Sequence, residues 1–255
     1  DCDNRVVRIL GQGVPDPAPT FQTGEDGCCY QAILVDDPFG ECIVGRPYLC
    51  DGAGVTAPAS HAGAWVDIAR AEHASIAAFA RLQLDLMALG APLYLLQEVA
   101  EALHDEVRHT AQVLAIASQL AEQTVSLGPF PFPDPVHPEN DLAAMAHAAV
   151  REGCIGETLS ALATRRAADA CENPAHAEVL RAIADDEDRH AALSWRLVAW
   201  ALDAGGREVR QAVIEAFQTP ISPVHLPLLD DAVLAEVARG GLREVIEPAA
   251  NALLA

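Results

Sequence analysis

The chain has 255 residues, 51% of them hydrophobic but only 5% aromatic, which suits one large core with a small appendage. Its formal net charge is −21, and all 16 basic residues are arginine, a balance that argues against nucleic acid or an anionic membrane surface as partner. No apolar run reaches about 18 residues, so no membrane-spanning helix is predicted.

Residues 1–58 are rich in Pro, Gly and Asp and carry five of the seven cysteines: Cys2, Cys28, Cys29, Cys42 and Cys50. Such clustering points to disulfide staples and to a periplasmic or extracellular setting, with the cytoplasm as the alternative. A start at Asp1 fits either a removed signal peptide or trimming. No Cys-x-x-Cys occurs, which argues against a rubredoxin or zinc-ribbon site, and an odd count leaves one thiol unpaired within the chain. The stretch YQAILVDDPFGECIVGRPYLC predicts a β-hairpin, with apolar runs 30–35 and 42–44 around Asp-Pro-Phe-Gly. DGAGVTAPAS, 51–60, reads as a linker.

Helical text begins near 62 and runs to Leu89, with Ile68, Ala71, Ser75, Ala78, Phe79 and Leu82 on one face. Gly-Ala-Pro at 90–92 stops that helix and starts a second, which runs to about Glu122. A proline-rich connection, SLGPFPFPDPVHPEN at 126–140, leads to a third helix over 141–171. Glu-Asn-Pro at 172–174 turns the chain into a fourth, ending near 203. Shorter amphipathic helices follow near 207–217, 228–239 and 241–254. Two helical hairpins joined by one long connection predict an all-α core, a four-helix bundle with one crossover. The organisation is then 1–58 as a Cys-rich β segment, 59–205 as the bundle and 206–255 as a C-terminal helical extension.

One pattern recurs inside this text. Asp-Glu-x-Arg-His-x-Ala is written at 105–111 and again at 186–192. Glu106 and His109, and likewise Glu187 and His190, are three residues apart and share a helix face. Their flanks are apolar: Val99, Ala102, Leu103, Val113 and Leu114 around the first pair, Leu180, Ile183, Ala184, Leu193 and Leu197 around the second. Buried carboxylates and imidazoles without partners cost several kcal/mol, so a bound metal is the natural compensation. The other two helices offer Glu72, on the stripe of Ile68, Ser75 and Phe79, and either Glu152 or Glu157. The last two are five apart and would not face the same way in an α-helix. Measured from each hairpin turn, Glu72 lies level with Glu106, and Glu157 lies level with Glu187; Glu152 would sit about 10 Å out of level. That selects Glu157, although Glu152 shares a stripe with Met145, Ile155, Leu159 and Leu162 and stays open as the alternative.

The order Glu, Glu-x-x-His, Glu, Glu-x-x-His resembles the ferritin-like di-iron carboxylate superfamily over about residues 62–203. The resemblance implies Glu72, Glu106, His109, Glu157, Glu187 and His190 as ligands to two iron ions, with Mn/Fe or other divalent metals as variants. Four carboxylates against two divalent ions leave a near-neutral site, and oxygen and imidazole ligands suit iron or manganese. Metal-bound histidines usually donate the far ring N–H to an acceptor, so Asp105 is expected to serve His190 and Asp186 to serve His109, with Arg108 and Arg189 balancing them. His73, His104 and His147 read as surface or helix-end residues, and Trp65, Trp195 and Trp200 as core anchors. Cys154 reads as a small inward-facing hydrophobe.

What the resemblance implies about activity is an oxidoreductase that activates O2 to oxidise a small-molecule substrate. Ferroxidase action, peroxide scavenging or metal sequestration are the alternatives, and a metal-stabilised binding module is the third reading. The extra segments at both ends argue against a compact storage-cage subunit. The helices after 206 are expected to cover the bundle or to form a homodimer interface.

Overall fold

The computed structural model describes residues 42–43, 46–50, 53–132, 136–221 and 224–255. All belong to the compact unit Ala32–Ala255. The predicted hairpin strand at 30–35, its turn, and the side chains of Cys2, Cys28, Cys29, Cys42 and Cys50 lie outside the described residues. Among the described residues Cys154 and Cys171 are free thiols.

The described part is dominated by helix. The helices are α1 (Ala64–Ala88), α2 (Leu93–Ala121) and α3 (Leu142–Ala148), which passes into a π-helical stretch π1 (Ala149–Glu157) and on into α4 (Thr158–Ala170). Then come α5 (Pro174–Ala204), α6 (Arg207–Gln218), α7 (Asp231–Gly241), a second π-helical stretch π2 (Leu242–Ile246) and α8 (Glu247–Leu254). No described helix is long and apolar enough to cross a membrane.

Local chemistry sets the boundaries. Gly90, at φ 71°, takes the left-handed conformation that ends α1, and Pro92 precedes the first turn of α2. Asn173 caps α5 through its side-chain oxygen, which accepts from the backbone N–H groups of Ala175 and His176, and Pro174 fills the first turn. Asp141 and Asp230 cap α3 and α7 in the same way.

Two expectations are corrected here. The third helix is not one α-helix: between Ala149 and Glu157 it widens to π geometry, a stretch that contains Gly153 and Gly156. Gly240-Gly241 does not separate two C-terminal helices either. The chain runs through it from α7 into π2, and a Cβ at Gly241 would press on Leu159 Cδ2 and Leu162 Cδ1 at 2.7 and 2.8 Å. The absent side chain lets the extension lie against α4.

Helix α1 packs along α2, α2 meets α5, and α5 packs along π1 and α4. The return contact, α1 to the π1–α4 arm, is sparse. Strands among the described residues are two residues long: β1 (Cys42–Ile43) runs parallel to β4 (Val224–His225), and β2 (Leu49–Cys50) pairs antiparallel with β3 (Ala53–Gly54). The presumed linker after β3 is packed down: Val55 and Ala57 are buried, and Arg70 of α1 donates to Ala57 O at 2.9 Å and to Thr56 Oγ1 at 2.7 Å.

The apolar core has two main parts. One holds Phe79, Leu82, Leu95, Val99, Leu193 and Leu197; the other holds Ile68, Val113, Ala163, Ala167, Leu180 and Ile183. On α1, α2 and α5, the glutamates and histidines singled out by sequence fall between the two. Trp65, Trp195 and Trp200, expected as core anchors, are half-buried at the margins of these clusters.

Candidate metal centre

Helix periodicity delivers the site. On α1, Glu72 follows Ile68 by one turn and precedes Ser75 and Phe79, and all four are buried. On α2 and α5, the i, i+3 spacing puts Glu106 with His109 and Glu187 with His190 on the inward stripe. Glu157 comes in at the last residue of π1. Glu72, Glu106, His109, Glu157 and Glu187 are wholly buried, and His190 is 2% exposed.

The structure brings these six side chains into two overlapping groups. Glu72, Glu106, His109 and Glu187 offer ligand atoms within 4.8 Å of one another, as do Glu157, Glu187 and His190. Glu187 belongs to both groups. Glu106 spans them too: its Oε1 lies 3.1 Å from His190 Nδ1 and its Oε2 lies 3.7 Å from His109 Nδ1. His109 Nδ1 is also 3.3 Å from Glu72 Oε2, and His190 Nδ1 is 3.5 Å from Glu187 Oε2.

Both oxygens of Glu72, Glu106, Glu157 and Glu187, and Nδ1 of both histidines, are buried without a properly directed hydrogen bond. Buried polar atoms are satisfied in the great majority of cases, so a concentration of unsatisfied ones in one place marks a site that takes a ligand. These atoms are all oxygen and imidazole nitrogen, the donor set that suits iron or manganese. The buried cluster could therefore hold a metal ion.

Its electrostatics follow from crowding. Burial pushes Glu72 and Glu157 well above the usual carboxylate range, and the neighbouring glutamates add to it. Glu106 goes the other way: burial opposes its charge, but His109 and His190 outweigh that and bring it to about 2. Burial also opposes a charged His109, yet the carboxylates of Glu106 and Glu72 lift it to about 11. His190 is raised by Asp105, Glu106 and Glu187 against the same desolvation. Without metal, protonated imidazoles carry the positive charge that the carboxylates demand.

The far ring nitrogens are held across the helix pair, as the doubled motif implied. His109 Nε2 lies 2.9 Å from Asp186 Oδ2, and His190 Nε2 lies 3.4 Å from Asp105 Oδ2. An ionised aspartate only accepts, so each Nε2 carries a proton and each Nδ1 turns to the glutamates. Arg108 bridges the two aspartates, 2.5 Å to Asp105 Oδ1 and 2.6 Å to Asp186 Oδ2. Arg189 reaches Asp105 Oδ2 at 3.2 Å and also bonds Asp186. Burial opposes ionisation of both aspartates, but the facing histidines and arginines hold them below the usual range.

Glu152, the alternative to Glu157, is placed elsewhere. It too is buried, because in π geometry the i→i+5 repeat keeps residues five apart near one face. The premise that the two could not both turn inward is therefore overturned. Glu152 meets arginines: Arg46 Nε at 3.4 Å and Arg81 Nη2 at 3.4 Å. Arg46, 2% exposed, was missed, because nothing in the aperiodic N-terminal text marks a lone arginine for burial. His104 is exposed, and His147 and His73 are half-buried, His73 against Phe130 at 5.8 Å between ring centroids. His176 was also missed; it is buried beside Trp65 at 5.3 Å. Cys154 is fully buried, and burial pushes its thiol far up.

No protein-family model, no curated protein and no solved structure matches the chain.

Proposed function

We propose that Glu72, Glu106, His109, Glu157, Glu187 and His190 hold two iron ions, with manganese in one position as the variant, and that the protein is a di-iron carboxylate oxidoreductase. In this reading the helical core is a four-helix bundle of the ferritin-like kind, and the protein uses O2 to oxidise a small molecule. One observation carries the reading: eight carboxylate oxygens and two imidazole nitrogens converge, buried and unsatisfied, between two apolar clusters.

The residues divide the work. Glu106 and Glu187 touch both histidine neighbourhoods and are the shared carboxylates; Glu72 and Glu157 are the outer ones. Asp186 and Asp105 fix the tautomer and tilt of His109 and His190 and raise their basicity as ligands. The flanking apolar clusters exclude water, which strengthens every interaction inside. Two iron ions there would supply the electrons that reduce O2.

The test is metal content. Protein reconstituted anaerobically with ferrous iron and desalted is expected to retain about two irons per chain, the number this ligand arrangement holds. Glu106→Ala and Glu187→Ala are expected to lose most of it. A single ion indifferent to both substitutions overturns the reading. O2 consumption that yields only ferric iron, with no oxidised organic product, assigns the site to ferroxidase action instead.

A further inference from the structure

One buried charge has no part in the cluster. Arg46 comes from the segment before α1, yet its guanidinium lies inside the helices. Its backbone carbonyl accepts from Ser75 Oγ of α1 at 3.0 Å. Its Cζ stands 5.4 Å from the centre of the Phe79 ring, also on α1. On the opposite side it faces Glu152 of π1 at 3.4 Å, and Nη1 donates to Ser194 Oγ of α5 at 3.5 Å. It thus lies between α1 and the π1–α4 arm, whose direct packing is sparse, beside the Arg81–Glu152 pair that also spans them.

This place adjoins the cluster. Ser75 is three residues from Glu72, Ser194 is four from His190, and Phe79 packs edge-on against the His190 ring at 5.1 Å. Arg46 is therefore about one helical turn from the glutamates, and Phe79 touches both its guanidinium and the His190 ring. Gly153 makes the room: a Cβ there would overlap Ser194 and come within 3.2 Å of Arg46 Nη1. The plug is anchored from outside as well, since Tyr48, two residues on, is buried against Ala74 and Ala78 of α1, with Arg81 over its ring at 5.1 Å.

We infer that the seam between α1 and π1 is the entrance to the Glu/His cluster and that Arg46, latched to Glu152, stoppers it. A guanidinium suits this task because it lies over the Phe79 ring on the α1 side and pairs with Glu152 on the π1 side, so it seals by charge and releases without exposing a large apolar side chain. The molecules admitted are small: O2, peroxide, water, or a compact organic substrate.

The inference rests on the metal reading only in what the entrance serves, so its test has a metal-free arm. Cys154 is fully buried and directly follows Gly153, the residue that lies against Arg46 Nη1. In the metal-free protein, methanethiosulfonate labelling of Cys154, followed by peptide mass spectrometry, reads the seam. Arg46→Ala is expected to speed Cys154 labelling at least about tenfold, the scale of a modest local opening, while half-exposed Cys171 is unchanged. Arg46→Met, which keeps the bulk, is expected to fall between Ala and wild type. Leu180→Ala, in the other apolar cluster, serves as the control for general loosening. Equal Cys154 labelling in wild type and Arg46→Ala overturns the inference, and so does equal acceleration by Leu180→Ala. In the second arm, cobalt(II) is loaded and extracted with EDTA. An unchanged cobalt spectrum with extraction at least about tenfold faster in Arg46→Ala supports the entrance, and an unchanged extraction rate overturns it. If wild type takes up no cobalt while Cys154 labelling still accelerates, the stopper stands and the metal reading fails.

Discussion

His109 on α2 donates its Nε2–H to Asp186 Oδ2 on α5 over 2.9 Å, while His190 on α5 faces Asp105 on α2 at 3.4 Å. Each histidine is oriented by the aspartate that precedes the other motif's glutamate. That crossed pattern explains why the heptapeptide is written as a unit: a copy without its aspartate would leave the opposite imidazole free to turn. Asp186→Ala is expected to weaken metal binding about 10- to 100-fold, the usual cost of losing such an outer partner. Competition titration against a coloured chelator reads this directly. Affinity within about twofold of wild type would mean that packing alone orients His109.

Metal loading should be steeply pH-dependent. His109 is held up to about 11, and His190, Glu72 and Glu157 are also raised. At neutral pH the two imidazoles hold protons in the metal-free protein and must release them to become ligands, and the upward shifts of Glu72 and Glu157 act in the same direction. Raising pH therefore favours binding, by about tenfold per pH unit for each proton displaced. Calorimetry in buffers of different ionisation enthalpy is expected to show net proton release at pH 7. Affinity that is flat between pH 6 and 8 would show that the site is already deprotonated, contrary to the charge balance described above.

Much of this site was legible because it is periodic. Glu72, Glu106, His109, Glu187 and His190 sit on apolar stripes that any helical reading exposes, and all are buried where those stripes meet. The choice of Glu157 rested on levels measured from the turns, and Glu157 lies with the cluster although the helix between is not regular. The π stretch itself was not legible. It contains Gly153, whose close fit against Ser194 and Arg46 is a tertiary relationship with no local signature. Arg46 was hidden for the same reason: its partners Ser75, Glu152 and Ser194 are brought together only by the folded helices.

Glu157→Gln separates ligand from scaffold. Burial disfavours the ionised form of Glu157, and the facing Glu187 adds to the strain. Glutamine keeps the shape, cannot ionise and offers an N–H toward Glu187. The metal-free variant is expected to melt about 2–4 °C above wild type, about 1 kcal/mol for a chain of this size. The same variant should lose metal. Leu159→Ala, two residues on in the apolar core, should do the reverse and cost about 2–5 kcal/mol. A Glu157→Gln protein that melts lower than wild type without metal would make Glu157 a structural partner, not a ligand.

Gly153 is where the helical core, the π stretch and the buried arginine meet. Its Cα lies so close to α5 that an added methyl would overlap both Oγ and Cβ of Ser194. Neither atom swings away easily, because Ser194 is fully buried on the inner face of α5 and its Oγ donates to His190 O at 3.1 Å. Gly153→Ala must therefore push π1 away from α5, at a cost of about 1–3 kcal/mol typical of overpacking. The displacement would carry Glu152 with it and pull the latch from Arg46. Two readouts should move together: a lower melting temperature, and faster Cys154 labelling in the native protein. Ser194→Gly in the same background removes the overlap and should restore most of the stability. If Gly153→Ala is as stable as wild type, π1 has slack that the packing described here does not allow.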